Sequence, residues 1–357
     1  MRHVWWGFPG FTSGWCFRAS FPYAALISLS LASFATPRIS CSGRARLANL
    51  RPPTPAARRP RRRLLPFAAL AVVWVVWGST YLAMRVIVRE MPALAAAGTR
   101  FTCAGTIMSL VALVVDRGKG WPGPRQWLDY AAIGVLLLSV GNPLVMWAER
   151  TVPSGLAALV VATVPVWILL LDGLRAGGEP WTARVWVGTA VGLAGVALVA
   201  RPEGEVGAAH WLAIAALQLA CLSWTVGSLH AQRVPKRLPL ASAAAIEMLA
   251  GGLVALAASR LIGDDWSAMA AASARAWGGV AYLVLFGSLV GFTAFAYCLN
   301  ELPATTVGTY AYVNPVVAVV LGGIVLAEPL TAGLVAGGLL IVAAVALTTL
   351  RKRAMPP

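Results

Sequence analysis

From residue 64 onward the chain is a succession of apolar runs close to 20 residues long, separated by Pro, Gly and charged punctuation. At a rise of 1.5 Å per residue such a run crosses the ~30 Å hydrocarbon core of a bilayer. Lipid offers no partner to a backbone N–H or C=O, so each run must satisfy its own polar groups as a helix. A transmembrane barrel would show shorter, alternating segments, and that architecture is excluded. Charge points the same way: 12% of the residues are charged and 59% hydrophobic, against about 25% charged in soluble domains.

The punctuation predicts helices near 66–88, 92–115, 128–148, 153–171, 183–200, 210–231, 240–261, 277–299, 303–326 and 331–350. The expected fold is an all-α polytopic membrane protein of ten transmembrane helices. Short connections make consecutive helices antiparallel neighbours. With the N-terminus inside, the inner connections and the tail carry 11 Lys and Arg, among them Arg117, Arg125, Arg184 and Arg233. The outer ones carry five: Arg89, Arg150, Arg201, Arg260 and Arg275. The excess of basic residues inside places both termini of a multi-pass membrane protein in the cytoplasm.

A net charge of +16 raises the question of nucleic acid, and its location answers it. Residues 1–63 hold 11 Arg and no acid, whereas the remainder has 18 Lys and Arg against 13 acids. No folded basic face is legible, so no nucleic-acid partner is expected. The run "RRPRRR" (58–63) abuts the first span, where basic residues hold a flank on the cytoplasmic side. The extension itself has three readings: a targeting segment, a disordered basic tail, or translated sequence upstream of the true start. The abundance of Arg over Lys, 26 to 3, favours the last. Five cysteines without paired spacing show neither a zinc site nor a disulfide framework.

Internal repetition divides the rest in two. "VPSGLAALVVATVPV" (152–166) aligns with "LPATTVGTYAYVNPV" (302–316), and "GEPWT" (178–182) with "AEPLT" (327–331). Nearer the front of each half, Trp77 matches Trp224 and Arg100 matches Glu247. The expected organisation is a basic extension (1–63), a first repeat (64–200), a second repeat (201–350) and a basic tail (351–357). Five spans per copy is an odd number, so the copies cross the membrane in opposite directions. Two inverted five-helix repeats can exchange packings, which is the basis of alternating access around a midplane site.

Several stretches resemble the EamA family of the drug/metabolite transporter superfamily. They are "WGSTYLAMR" (77–85), "AGTRFTCAG" (97–105), "GNPLVMWAERTVPSGLAALVVATVPVW" (141–167) and the two Glu-Pro-x-Thr junctions. The resemblance covers 65–350 in the family's order, while the extension departs from it. It implies ten helices in two inverted repeats and the export of small metabolites, amino acids or drugs, and the similarity to bacterial exporters implies a place in the inner (plasma) membrane.

A charge at mid-bilayer costs at least about 2.5–3.5 kcal/mol on insertion scales, so it normally faces a cavity or a partner. Arg100 and Glu247 therefore head the candidate substrate and proton pathway: Arg100 as a carboxylate anchor, Glu247 as a proton or substrate-amine site. Pairing with each other, as a purely structural link, is the alternative. Trp77, Tyr81, Trp224 and Tyr310 are candidates for stacking or cation–π contact, and Asn142 and Asn314 offer amides beside prolines. Arg85 reads as an interfacial anchor. Gly188, Gly192, Gly333 and Gly337 let helices approach closely at the back of the bundle. Pro165 and Pro315 predict a matched pair of kinks facing the central cavity, with Thr163 helping the carbonyl of Val161.

No catalytic constellation, metal site or cofactor motif is expected. "DD" (264–265) lacks a second acidic cluster, and Ser228 and His230 are two apart on one helix, so they cannot face each other. The absence of a phosphate loop leaves no route to ATP-driven transport within the chain. The expected function is a secondary active exporter of a small organic solute, such as an amino acid, metabolite or drug. Its partners are the solute, the lipid bilayer and protons, and its oligomeric state is left open. An intramembrane enzyme acting on lipid, and a non-transporting scaffold or sensor, are the alternatives.

Overall fold

The computed structural model describes residues 61–117, 122–174, 182–201, 207–234, 238–302, 304–307 and 309–349. Residues 1–60 of the basic extension, the stretch of "GEPWT" before Thr182 and the tail lie outside the described residues. Among the described residues, eight helical segments are long and apolar enough to cross a membrane, and two more are apolar but shorter. In chain order they are α1 (Arg61–Ile87), α2 (Ala93–Val115), α3 (Pro124–Ala148), α4 (Ser154–Gly173) and α5 (Ala183–Ala200). There follow α6 (Ala208–Ala231), α7 (Leu240–Leu261), α8 (Ala274–Phe295, its turns running on to Glu301), α9 (Tyr310–Leu326) and α10 (Ala332–Thr349). The two shorter apolar helices are Val313–Leu326 and Ala332–Leu347, within α9 and α10.

The helix starts are written in the connections. Thr182 accepts a hydrogen bond from the Val185 N–H at 3.4 Å and Thr331 accepts one from the Leu334 N–H at 3.1 Å. The threonine of each Glu-Pro-x-Thr junction is thus the N-cap of the following helix, where a hydroxyl satisfies one of the orphan donors of the first turn. Ser273 caps α8 through the Ala276 N–H. Its own N–H and hydroxyl donate to the Glu90 carboxylate at 2.7 and 2.8 Å. The two bonds from Ser273 hold the Glu90 carboxyl below its usual range, and they tie the start of α8 to the α1–α2 connection.

Packing is by helix pairs: α2 lies along α7 and α5 along α10, while α1 meets α8 and α9, and α6 meets α3 and α4. Missing side chains set how close the pairs come. A Cβ on Gly195 would stand 2.8 Å from the Gly337 carbonyl oxygen, and one on Gly337 would stand 2.7 Å from the Gly195 carbonyl oxygen. Along α2 and α7, Gly98, Gly105 and Gly252 do the same against Leu256, Leu249 and Thr102. Close approach of backbones is what drives helix association where lipid tails are as apolar as leucine. The outward faces carry exposed Leu110, Leu193, Leu253, Ile324 and Leu339, a surface suited to lipid.

Among the described residues, two helices contain π-helical turns. α3 passes through a π-helical stretch at Val135–Gly141 and α8 through one at Leu283–Val290. They fall at a spacing close to that of the sequence repeat. Both were unexpected from the sequence, which predicts plain helices there.

Candidate functional site

A cavity of about 550 Å³ runs through the bundle, lined by α1, α2, α3, α4, α6, α7, α8 and α9. Its size is that of a small-molecule site. All ten residues singled out in the sequence stand on its wall: Arg100 and Glu247; Trp77, Tyr81, Trp224 and Tyr310; Asn142 and Asn314; Pro165 and Pro315.

Arg100 is 6% exposed. Its Nε donates to the Ser288 hydroxyl at 3.1 Å and its Nη1 to the Asn142 Oδ1 at 3.3 Å, while the guanidinium carbon lies 4.5 Å from the Phe101 ring centroid. Ser288 belongs to the π-helical stretch of α8, and Asn142 directly follows that of α3. A π turn sets i→i+5 bonding in place of i→i+4 and so re-aims the side chains around it. The two irregular stretches together hold the cation of α2. Glu247 also lines the cavity, and no ion pair joins it to Arg100 among the described residues. The structural link between the two charges is therefore absent, and Arg100 is held by neutral acceptors instead.

An aromatic group forms one wall. Trp77 stands edge-on to Tyr310 with ring centroids 5.4 Å apart and tilted against Phe295 at 5.0 Å; Phe295 meets Tyr310 at 5.7 Å. The Trp77 indole N–H donates to the Gly287 carbonyl at 3.2 Å, again within the π-helical stretch of α8. Asn314, with its amide oriented to satisfy its neighbours, donates to the carbonyls of Tyr310 and Trp74 at 3.2 Å each. It thereby joins α9 to α1.

The two prolines differ in setting. α4 is interrupted at Ala162–Thr163, and Pro165 opens its second part. The Thr163 hydroxyl donates to the Val160 carbonyl at 2.7 Å, with Cys221 Sγ at 3.7 Å from the same oxygen. Thr163 thus serves Val160 rather than Val161, because its rotamer reaches back three residues. Pro315 lies inside the helix Tyr310–Leu326, and the preceding interruption falls between Val307 and Tyr310.

At one end the cavity extends along α6 to Ala231 and exposed Gln232. At the other end it stops at Met84 on α1, Val145 on α3 and Ala158 on α4. About one turn beyond those limits lies a charged cluster. Glu149 is 0% exposed, and neither of its carboxylate oxygens has a hydrogen-bond partner among the described residues. Arg85 and Glu328 both act on it electrostatically. Arg85 Nε lies 4.0 Å from Glu328 Oε1, with the two side chains 16% and 10% exposed. Arg85 is therefore turned into the bundle toward Glu328 rather than snorkelling to the interface.

Glu328 has a second engagement, at the first turn of α4. Its carboxylate accepts from the Ser154 N–H at 2.9 Å, the Ser154 hydroxyl at 2.7 Å and the Gly155 N–H at 3.4 Å. A carboxylate fits a helix N-terminus because the unpaired N–H groups and the helix dipole both favour negative charge. Ala327 aims it there by adopting a left-handed φ of 53°. The Ala327 N–H closes back on the Gly322 carbonyl, the six-residue closure of a left-handed helix end, and the Glu328 N–H reaches the same oxygen at 3.1 Å. The sequence reading missed this cluster. Glu149 stands beside Arg150 at the end of an apolar run and reads as interfacial, and Glu328 reads only as part of the repeated junction.

Comparison with known proteins gives these observations a family. The family model of the EamA-like transporters matches residues 65–201 and again 211–350. The chain is 42% identical over 264 residues to the "Uncharacterized inner membrane transporter YedA" of Escherichia coli (strain K12), covering 73% of this chain and 83% of that protein. It is 28% identical over 276 residues to the "Probable terminal-alkyne amino-acid exporter" of Streptantibioticus cattleyicolor, covering 76% and 89%. A solved structure described only as the crystal structure of a protein superposes with a TM-score of 0.55 at 21% identity, over 82% of this chain and 97% of the other. That likeness shows the fold alone. With a membrane-spanning helical bundle, a solute-sized cavity and two matches that together cover most of its length, the chain belongs to the EamA-like transporter family.

Proposed function

We propose that the protein is a secondary active exporter of a small organic solute, an amino acid or a related zwitterion, driven by exchange with protons. The observation that carries this reading is the convergence of Arg100 and Glu247 on one cavity. Arg100 offers a guanidinium to the solute carboxylate, and Glu247 takes the solute amine or, in the other half of the cycle, a proton. The name of the Streptantibioticus relative, an amino-acid exporter, supports the solute class. Relatives named as transporters favour this reading over an enzyme acting on lipid.

Alternating access between two inverted five-helix repeats supplies the mechanism. It is supported by the two family matches, by the paired π-helical stretches and by packing that pairs α2 with α7 and α5 with α10. Each such pair joins a helix to its counterpart five spans later. The apolar runs support ten spans, the basic residues of the connections support cytoplasmic termini, and the named location of the Escherichia coli relative supports the inner membrane. Gln232 then marks a cavity open to the cytoplasm, with the Arg85–Glu149–Glu328 end closed to the outside.

The test is reconstitution into liposomes carrying a pH-sensitive dye. Addition of the transported amino acid drives proton movement through the wild type, and the charge-neutral Glu247→Gln abolishes it. Proton flux at wild-type rate in Glu247→Gln, or none in the wild type across the amino acids and cationic drugs, contradicts the reading.

A further inference from the structure

We propose that Glu149 is a second proton-binding site, remote from Glu247, that latches the closed end of the cavity. An ionised carboxylate that is fully buried and makes no hydrogen bond costs several kcal/mol unless a counter-charge or a proton compensates it. The counter-charge available is one guanidinium, Arg85, which Glu149 shares with Glu328: its Nε lies 4.0 Å from Glu328 Oε1, and neither Nε nor Nη1 makes a hydrogen bond among the described residues. With a proton on Glu149, Arg85 is left to Glu328, and the Glu328 carboxylate holds Ser154 and Gly155 at the start of α4. When Glu149 gives that proton to water, two carboxylates compete for one cation. Arg85 turns toward Glu149, Glu328 loses its ion pair, and its hold on α4 weakens.

The other charged and titratable groups nearby do not supply a substitute. On α1, Tyr81 lies a turn before Arg85 and feels the Glu149 charge, and Arg89 lies a turn beyond. α2 brings Arg100, which is held by Ser288 and Asn142. α6 brings His210, whose ring nitrogen lies 2.8 Å from the Ala200 carbonyl. The packing around Glu328 is equally specific. A Cβ on Gly322 would run into the Glu328 carboxylate and stand 2.9 Å from the Ser154 hydroxyl, and Gly155 leaves room for Val319 of α9. The start of α4 is thus clasped to the end of α9, with Glu328 as the clasp. This deepens the transport reading by giving one end of the cavity its own titratable latch.

The test measures a distance, so it stands apart from any flux assay. Nitroxide labels go on Thr151→Cys and Leu330→Cys, both at exposed positions on either side of the clasp. The full chain, with Cys16, Cys41 and Cys103 changed to Ser, is reconstituted in liposomes and read by pulsed electron resonance between about pH 5 and about pH 9. In the wild type, a component longer by about 5 Å grows as the pH rises. Glu149→Gln keeps the short distance at every pH. Gly322→Ala, which displaces the Glu328 carboxylate without touching Glu149, shows the longer component at every pH. Glu247→Gln retains the wild-type response. A wild-type distribution that ignores pH overturns the proposal, as does a Glu149→Gln protein that still responds. Loss of the response in Glu247→Gln alone assigns the titration to Glu247 and overturns it equally.

Discussion

Arg100 is held by neutral acceptors from two helices, Ser288 on α8 and Asn142 on α3, which leaves its charge uncompensated for a solute. A guanidinium presents its donors in a fixed fork, whereas an ammonium is a point charge on a flexible stem. Arg100→Lys keeps the charge and loses that orientation. It should weaken solute binding at least ~10-fold, about 1.4 kcal/mol, measured by isothermal titration in detergent or nanodiscs; unchanged affinity contradicts the role. Arg100 and Glu247 were legible as candidates because each interrupts a long apolar run, where a charge demands a reason. Glu149 was not legible. It ends its run one residue before exposed Arg150, and no local pattern tells that the chain turns one of these side chains inward and leaves the other out. Its setting depends on Arg85 and Glu328, 64 residues before it and 179 after it, and such encounters are written only in three dimensions.

At the scale of elements, apolar run length marks where the helices lie, and eight of the described segments are long and apolar enough to cross a membrane. The Glu-Pro-x-Thr junctions were legible only as a repeat; that their threonines, Thr182 and Thr331, cap the following helices comes from the structure. The π-helical stretches at Val135–Gly141 and Leu283–Val290 had no such signal, since an i→i+5 turn uses the same apolar residues as an i→i+4 turn. Gly188, Gly192, Gly333 and Gly337 were legible as points of close approach, and the partner that meets Gly337 is Gly195, which the sequence did not single out. Along α2 and α7 the approach is closest where Gly252 faces the Thr102 backbone. Backbone cannot yield as a side chain can, so Gly252→Ala must push α7 off α2. Overpacking of this kind costs about 1–3 kcal/mol. A thermal scan of the purified protein should show a lowered Tm, and an unchanged Tm would show that the seam is slack.

For the molecule as a whole, the central claim is that one cavity is reached from one side of the membrane and then from the other. The described arrangement has the cavity reaching exposed Gln232 and ending short of Arg85, Glu149 and Glu328. Under the proposed mechanism, alternation requires a second arrangement in which that end is open and the Gln232 end shut, reached by inverted repeats exchanging roles. Ala311 lines the cavity wall on α9 and belongs to neither end. The direct measurement is labelling of Ala311→Cys, in the Cys16, Cys41 and Cys103 to Ser background, with a membrane-impermeant thiol reagent applied separately to each face of the membrane. Alternating access predicts labelling from both faces, with added solute changing the ratio of the two rates. Labelling from one face only, with and without solute, contradicts it.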